Sequence, residues 1–273
     1  MSFRPKAPRA RISLLVLSFA VLLSLAGVDG EAAGEAAAPL SYRFVETPAG
    51  VGAHLLKADL GRVELRMLHA QDMGAEVLNA RQFLDRSGAV AVFNGPFFDV
   101  DGSPMGLLVV DGVERVPLRP VDWGVFSLSD VGPAIVHTKE WKPPIGMKAA
   151  FQVGPRLVVD GKALLLKAQS ARRTALCVLG DGRIEVLISS SPIWAADLAD
   201  FFVSEGCVDA LNLDGGTSTQ LYLRRAGIVV EEPGGVAVPV AVGLFVADAD
   251  AEIVPRSGCL SSLGCRSGVR SSR

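Results

Sequence analysis

From about residue 40 onward the apolar positions fall into short runs separated by turn dipeptides. Asp111-Gly112, Asp160-Gly161 and Asp181-Gly182 each stand between two strand-like stretches. Asp-Gly suits a two-residue hairpin turn because both central residues there need positive φ. The pattern predicts hairpins joining 107–110 to 113–116, 157–159 to 163–166, and 175–179 to 184–188. Two stretches carry helical spacing instead. Over 73–86 the positions Met73, Val77, Ala80 and Leu84 share one face, with Asp72 placed to cap the start and Gly88 to end the helix. Over 194–205 the face is Trp194, Leu198, Phe201 and Phe202, with Pro192 ahead of it and Gly206 behind. Each predicted helix runs into an apolar strand, 89–93 and 208–213, and each strand ends in a polar loop. These elements predict an α+β (mixed α/β) domain: one large, mainly antiparallel mixed sheet with hairpins and packed helices.

The two ends of the chain depart from this rhythm. Arg4, Lys6, Arg9 and Arg11 precede an apolar run over 12–28, and an alanine-rich stretch follows at 30–38. That order is the pattern of a secretory signal, and residues 1–30 read as a signal peptide or an N-terminal anchor through 12–28. The run falls short of the ~20 apolar residues of a comfortable membrane-spanning helix, which favours cleavage. Both alternatives put the body outside the cytoplasm, secreted or periplasmic, or anchored and facing outward. Residues 40–248 form the predicted domain and 249–273 a pattern-poor, mobile tail.

Composition narrows the function classes. Of 273 residues, 49% are hydrophobic and 21% charged, enough to build a sizeable core. The net charge of -2 is spread along the chain, so no nucleic-acid partner is expected. His54, His69 and His137 have no ligand spacing, and neither a metal nor a cofactor is expected. Of the four cysteines, Cys259 and Cys265 are spaced for a local disulfide in the tail. Cys177 and Cys207 lie in apolar runs without a basic neighbour and read as buried small hydrophobes rather than catalytic thiols.

The chemistry concentrates in the polar loops. In Asn212-Leu213-Asp214-Gly215-Gly216-Thr217-Ser218 the glycines let the backbone approach a ligand, while Asp214 offers a carboxylate and Ser218 a hydroxyl; a plain tight turn is the alternative. Arg173 stands at the start of an apolar strand, where its guanidinium forks toward a phosphate or simply faces solvent. Gln152-Val153-Gly154-Pro155 reads as a bend or a ligand-facing edge.

In chain order these segments become specific: Asn94-Gly95-Pro96-Phe97-Phe98-Asp99, Gly102-Ser103-Pro104-Met105-Gly106, Gly154-Pro155, Arg173-Thr174-Ala175, and Asn212 to Ser218. Together they resemble the phosphodiester glycosidase family over residues 63–246, a family whose animal member removes N-acetylglucosamine from a phosphodiester. The resemblance implies cleavage of a sugar C1–O–phosphate linkage and a sugar phosphate or glycan as partner. It implies a pocket in which Asp214, Arg173 and Asn94 are catalytic and Phe98, Gly106, Asn212, Gly215, Gly216 and Ser218 bind substrate. In the expected mechanism Arg173 and the Gly215 and Gly216 amides hold the phosphate, Asn94 and Asn212 orient sugar hydroxyls, and Asp214 acts near the anomeric carbon. Asp99 and Asp209 are the weaker candidates for a second carboxylate. Pro96 and Thr217 stand where the family usually has glycine. Pro96 removes one amide donor, which favours the rival reading of a non-catalytic polysaccharide-binding or envelope-assembly module with the same pocket.

Overall fold

A computed structural model describes residues 38–247. The signal or anchor segment at 1–30, the tail at 249–273 and the Cys259/Cys265 pair lie outside the described residues. Within them, no helix is long and apolar enough to cross a membrane.

Three antiparallel sheets share one core. The largest runs in the order Leu40–Glu46, Gly52–Ala58, Ile184–Ser189, Thr174–Leu179, Cys207–Asn212, Arg156–Val159 and Lys162–Ala163. The second is ordered Ile228–Glu232, Leu221–Arg225, Ala91–Asn94, Val240–Val246 and Val63–His69. The third is ordered Val113–Val116, Leu108–Val110, Ala149–Val153, Gly124–Ser129 and Gly132–His137. Leu56, Leu176 and Leu211 of the first meet Leu65, Phe93 and Leu223 of the second and Phe126 and Phe151 of the third in one buried cluster.

The predicted hairpins form, because their turns are local, although the arm expected over 163–166 is only Lys162–Ala163. Asp111 and Asp160 both adopt φ 49°, followed by glycines at 77° and 72°, the backbone that a two-residue turn matching the strand twist requires. The helices are fewer in residues than the pattern predicts. Helix α1 spans Ala80–Ser87, starting at an Asn79/Gln82 capping box rather than at Asp72. Residues 70–73 instead make one 3-10 turn that Gly74 ends. Helix α2 spans Ala195–Ser204, close to its predicted range.

Each helix covers the outer face of one sheet. Phe83 and Leu84 of α1 pack against Val92, Tyr222 and Ala241, and Leu198 and Phe202 of α2 pack against Leu157, Ala175 and Leu187. Strand Thr174–Leu179 is therefore buried on both faces, whereas Val63–His69 alternates buried and exposed over most of its length.

The expected α+β class is thus corrected. The fold is mainly β, with two short α-helices and, besides the three sheets of the common core, a two-stranded sheet of Ser170–Ala171 and Ile193–Trp194, in place of one mixed sheet with packed helices. Closely spaced turns make the strands they join antiparallel, since a parallel pair needs a crossover of roughly a dozen residues or more. The second correction concerns Cys177 and Cys207, which are buried but joined in a disulfide, with Cα atoms 5.8 Å apart. They face one another because strands Thr174–Leu179 and Cys207–Asn212 are direct neighbours with a register shift beside Leu179.

Register brings one end of every sheet together. Asn94 pairs with Ala241, Val153 with Gly124, and Ala175 with Asn212, so the polar loops emerge on one side of the core. The opposite end holds a cavity of about 1160 Å³, lined by Arg62, Glu64, Asp130, Lys148 and Asp181 among others. None of the sequence-predicted site residues lines it.

Candidate active site

Three strand ends build a buried polar cluster. Asn94 closes Ala91–Asn94, Arg173 and Thr174 open Thr174–Leu179, and Asn212 closes the neighbouring strand before Asp214. The Asn94 side chain is fully buried: Nδ2 donates to the Asp214 carbonyl at 2.7 Å, and Oδ1 accepts from Thr174 Oγ1 at 2.6 Å and from the Gln220 amide at 3.1 Å. Asn212 accepts from Arg173 at 3.2 Å and donates to the Leu213 carbonyl at 2.7 Å and the Gly154 carbonyl at 3.4 Å. Both asparagines bond to the protein itself, with one Nδ2 hydrogen of Asn94 and one Oδ1 lone pair of Asn212 left over. These bonds let Asn94 position the Asp214 loop and Asn212 the guanidinium.

Arg173 is buried, donating to Asn212 and, at 2.8 Å, to the Gln169 carbonyl. Among the described residues no carboxylate lies within ion-pair distance of it, and its Nε has no hydrogen-bond partner. Burial pulls its pKa down, yet a guanidinium keeps its proton in proteins. A buried cation without a counter-charge is costly, and an anionic ligand removes the cost.

Asp214 is the one carboxylate built into this cluster. Burial pushes its carboxyl above the usual range, opposed by hydrogen bonds from Ser218 and from the Gly215 amide, the latter at 3.0 Å. The Gly216 amide donates to the Arg172 carbonyl at 2.8 Å. Both amides expected to hold phosphate are therefore already engaged within the protein. Gly215 is needed for another reason: a Cβ there would stand 2.8 Å from the Arg172 carbonyl oxygen. Arg172 itself is anchored to Glu232 at 2.6 Å, and Glu232 also meets His54 at 3.2 Å.

The remaining predicted residues sit at the margin. Gly106 lies against Gln152, whose Oε1 would be 2.6 Å from an added Cβ. Phe98 is half-buried and packs against the α1 cluster. Asp99 is exposed, and its carboxylate accepts from the Val100 amide. Asp209 lies within its strand, opposite Val178, with its pKa raised by burial and the Asp160 amide 3.4 Å away. Neither hydrogen-bonds to Arg173, Asn212 or Asp214. The only His, Cys, Asp or Glu group with ligand-like spacing among the described residues is Cys177, Glu185 and Cys207, whose sulfurs are bonded to each other.

Comparison with known proteins meets this geometry at the family level. The phosphodiester glycosidase family profile matches residues 87–247, which contain every residue of the polar cluster. The chain belongs to the phosphodiester glycosidase family.

Solved structures of similar fold include the zebrafish N-acetylglucosamine-1-phosphodiester alpha-N-acetylglucosaminidase catalytic domain auto-inhibited by its pro-peptide, with a TM-score of 0.59 and 13% identity over 76% of this chain and 82% of that one. A hypothetical protein from Synechocystis follows with a TM-score of 0.55 and 16% identity, over 76% of this chain and 61% of that one. A putative exported protein from Burkholderia pseudomallei has a TM-score of 0.53 and 13% identity, over 71% and 74%. No curated protein sequence is a significant match.

In this member of the family, four residues organise the site in ways the sequence did not show. Thr174 carries the hydroxyl that orients Asn94. Gln220 accepts from the first amide of α1 at 2.7 Å and donates to the Ser218 and Val236 carbonyls, tying helix, loop and following strap together. Gln152, fully buried, accepts from the Leu107 and Arg119 amides and donates to the Arg119 carbonyl and to Thr138. Trp123 stands edge-to-face with Phe97. A glutamine or threonine in an apolar stretch was the available signal for the first three; nothing local marks Trp123.

Proposed function

We propose that this protein hydrolyses the glycosidic C1–O bond of a sugar 1-phosphodiester on an extracytoplasmic glycan or glycoconjugate. The observation that carries the reading is Arg173, buried without a carboxylate partner and one hydrogen bond removed from the strand end that bears Asp214. An anion of tetrahedral shape would satisfy the unpartnered Nε of that guanidinium. The family's glycosidase chemistry supplies the second half of the reading.

In the proposed step, water attacks C1, the C1–O bond breaks, and its electron pair leaves on the phosphate oxygen as a phosphomonoester. Such a leaving group is stable as an anion and needs charge stabilisation more than protonation, which Arg173 supplies. One carboxylate is then sufficient. Asp214 takes the proton of the attacking water, and its raised pKa makes it a stronger base than an exposed aspartate. Asn94 and Thr174 fix the Asp214 backbone in place. The Cys177–Cys207 disulfide supports a location outside the cytoplasm, where such bonds persist.

Incubation with aryl or nucleotide sugar phosphodiesters in isotopically labelled water tests the reading. Label in the released sugar is the expected result. Label in the phosphate overturns it in favour of P–O cleavage, and saturable binding without release overturns it in favour of a binding module.

A further inference from the structure

The polar cluster recognises charge but has few groups left for a sugar. Asn94 and Asn212 direct their side chains at the protein, and the Gly215 and Gly216 amides are occupied. We infer that Phe97 and Trp123 form an aromatic platform on which the sugar ring lies, an inference that rests on the phosphodiester glycosidase reading above. Their ring centroids are 5.1 Å apart at an interplanar angle of 63°. Both are half-buried, so each keeps part of its surface open, unlike Phe93 and Phe126, which are fully buried in the core.

The pair is attached to the catalytic machinery from two sides. Phe97 belongs to the turn that begins at Asn94, and the buried Pro96 before it restricts the backbone. Trp123 lies against Gly154, where a Cβ would come within 3.0 Å of its indole, and the Gly154 carbonyl accepts from Asn212. Trp123 is also held rigidly. Its carbonyl accepts from the Thr138 amide at 3.0 Å and the Thr138 hydroxyl at 2.9 Å, and Thr138 in turn accepts from Gln152.

The chemistry matches a pyranose. One face of a sugar ring presents C–H bonds with partial positive charge, and an aromatic face is electron-rich. Trp123 connects to Arg173 through Gly154 and Asn212, the side on which the anomeric phosphate would lie. Aromatic contacts of this kind are sequence-distant and geometry-dependent, which is why a rigid mount such as the Gln152–Thr138 support has value.

The test compares full-length Asp214→Asn protein with the same protein carrying Trp123→Leu, Phe97→Leu or Trp123→Phe, by calorimetric titration. The probes are a panel of phenyl glycosyl phosphodiesters and the sugar-free phenyl methyl phosphodiester. Trp123→Leu and Phe97→Leu are expected to weaken glycosyl diester binding by about tenfold and to leave the sugar-free affinity unchanged, while Trp123→Phe retains most of it. Equal losses for both probes, or none, in a folded variant overturn the platform while leaving the hydrolase reading intact. Parental Asp214→Asn protein that binds no glycosyl diester better than the sugar-free probe overturns both. Where Trp123→Leu does not fold, Phe97→Leu decides alone.

Discussion

Removing the Cys177–Cys207 disulfide gives a magnitude that follows from the fold alone. The two cysteines are 30 residues apart, and the bond closes a loop containing the Thr174–Leu179 hairpin partner, α2 and the start of Cys207–Asn212. Chain-entropy loss in the unfolded state for a loop of about 30 residues is worth roughly 3.6 kcal/mol at 25 °C. The Cys177→Ala/Cys207→Ala double variant is expected to lose about that much, with a small addition for the two vacated sulfur sites in the α2 cluster. For a domain of this size the loss lowers Tm by roughly 7–15 °C. Urea denaturation at matched m-value measures it, with thiol titration of the denatured, unreduced parent as the companion assay. Turnover at low temperature should persist, because the bond lies toward the end of its strand pair away from Arg173 and Asn212. A change below about 1 kcal/mol, or reactive thiols mapped to Cys177 and Cys207 in the denatured parent, would refute the reasoning.

Further predictions concern the polar cluster. Asp214→Asn should abolish turnover and raise Tm near pH 7. The folded-state carboxyl pKa is raised, so the folded chain holds its proton after the unfolded chain loses it at about 3.9, and stability falls as pH rises through that window. The gain should therefore vanish below about pH 3, as thermal melts at two pH values can show. Asn94→Ala strands the Thr174 hydroxyl, the Gln220 amide and the Asp214 carbonyl, and should cost about 2–4 kcal/mol with a disproportionate fall in kcat. A double-mutant cycle with Thr174→Val should show coupling of about 1 kcal/mol, since the two side chains share one bond. Arg173→Met should weaken phosphodiester binding by about 100-fold or more without restoring affinity as Arg173→Lys, because the ammonium cannot reproduce the fork. Activity should be unchanged by a chelator, measured against sugar release.

The hairpins were legible because a turn depends on residues adjacent in sequence, as at Asp111-Gly112 and Asp160-Gly161. So was α2, whose apolar face repeats at helical spacing. Helix α1 was read too long because apolar spacing continues through Met73 and Val77, while the cap that starts the helix is the Asn79/Gln82 pair. The two site loops were legible as motifs, but their roles were not. Asn94 looks like a ligand group in sequence, and only the fold shows its amide turned to a carbonyl 120 residues away.

Local conformational preference and the order of the motifs thus came from the chain itself: strands, turns, the Asp214 loop and membership of the family. Packing between distant segments decided the rest: several sheets instead of one, the pairing of Cys177 with Cys207, the occupied glycine amides, and Trp123 beside Phe97. A turn is set by the torsions of a few neighbouring residues. The partner of a buried polar or aromatic side chain is set by which strand ends the common core draws together, and that is a property of the whole fold.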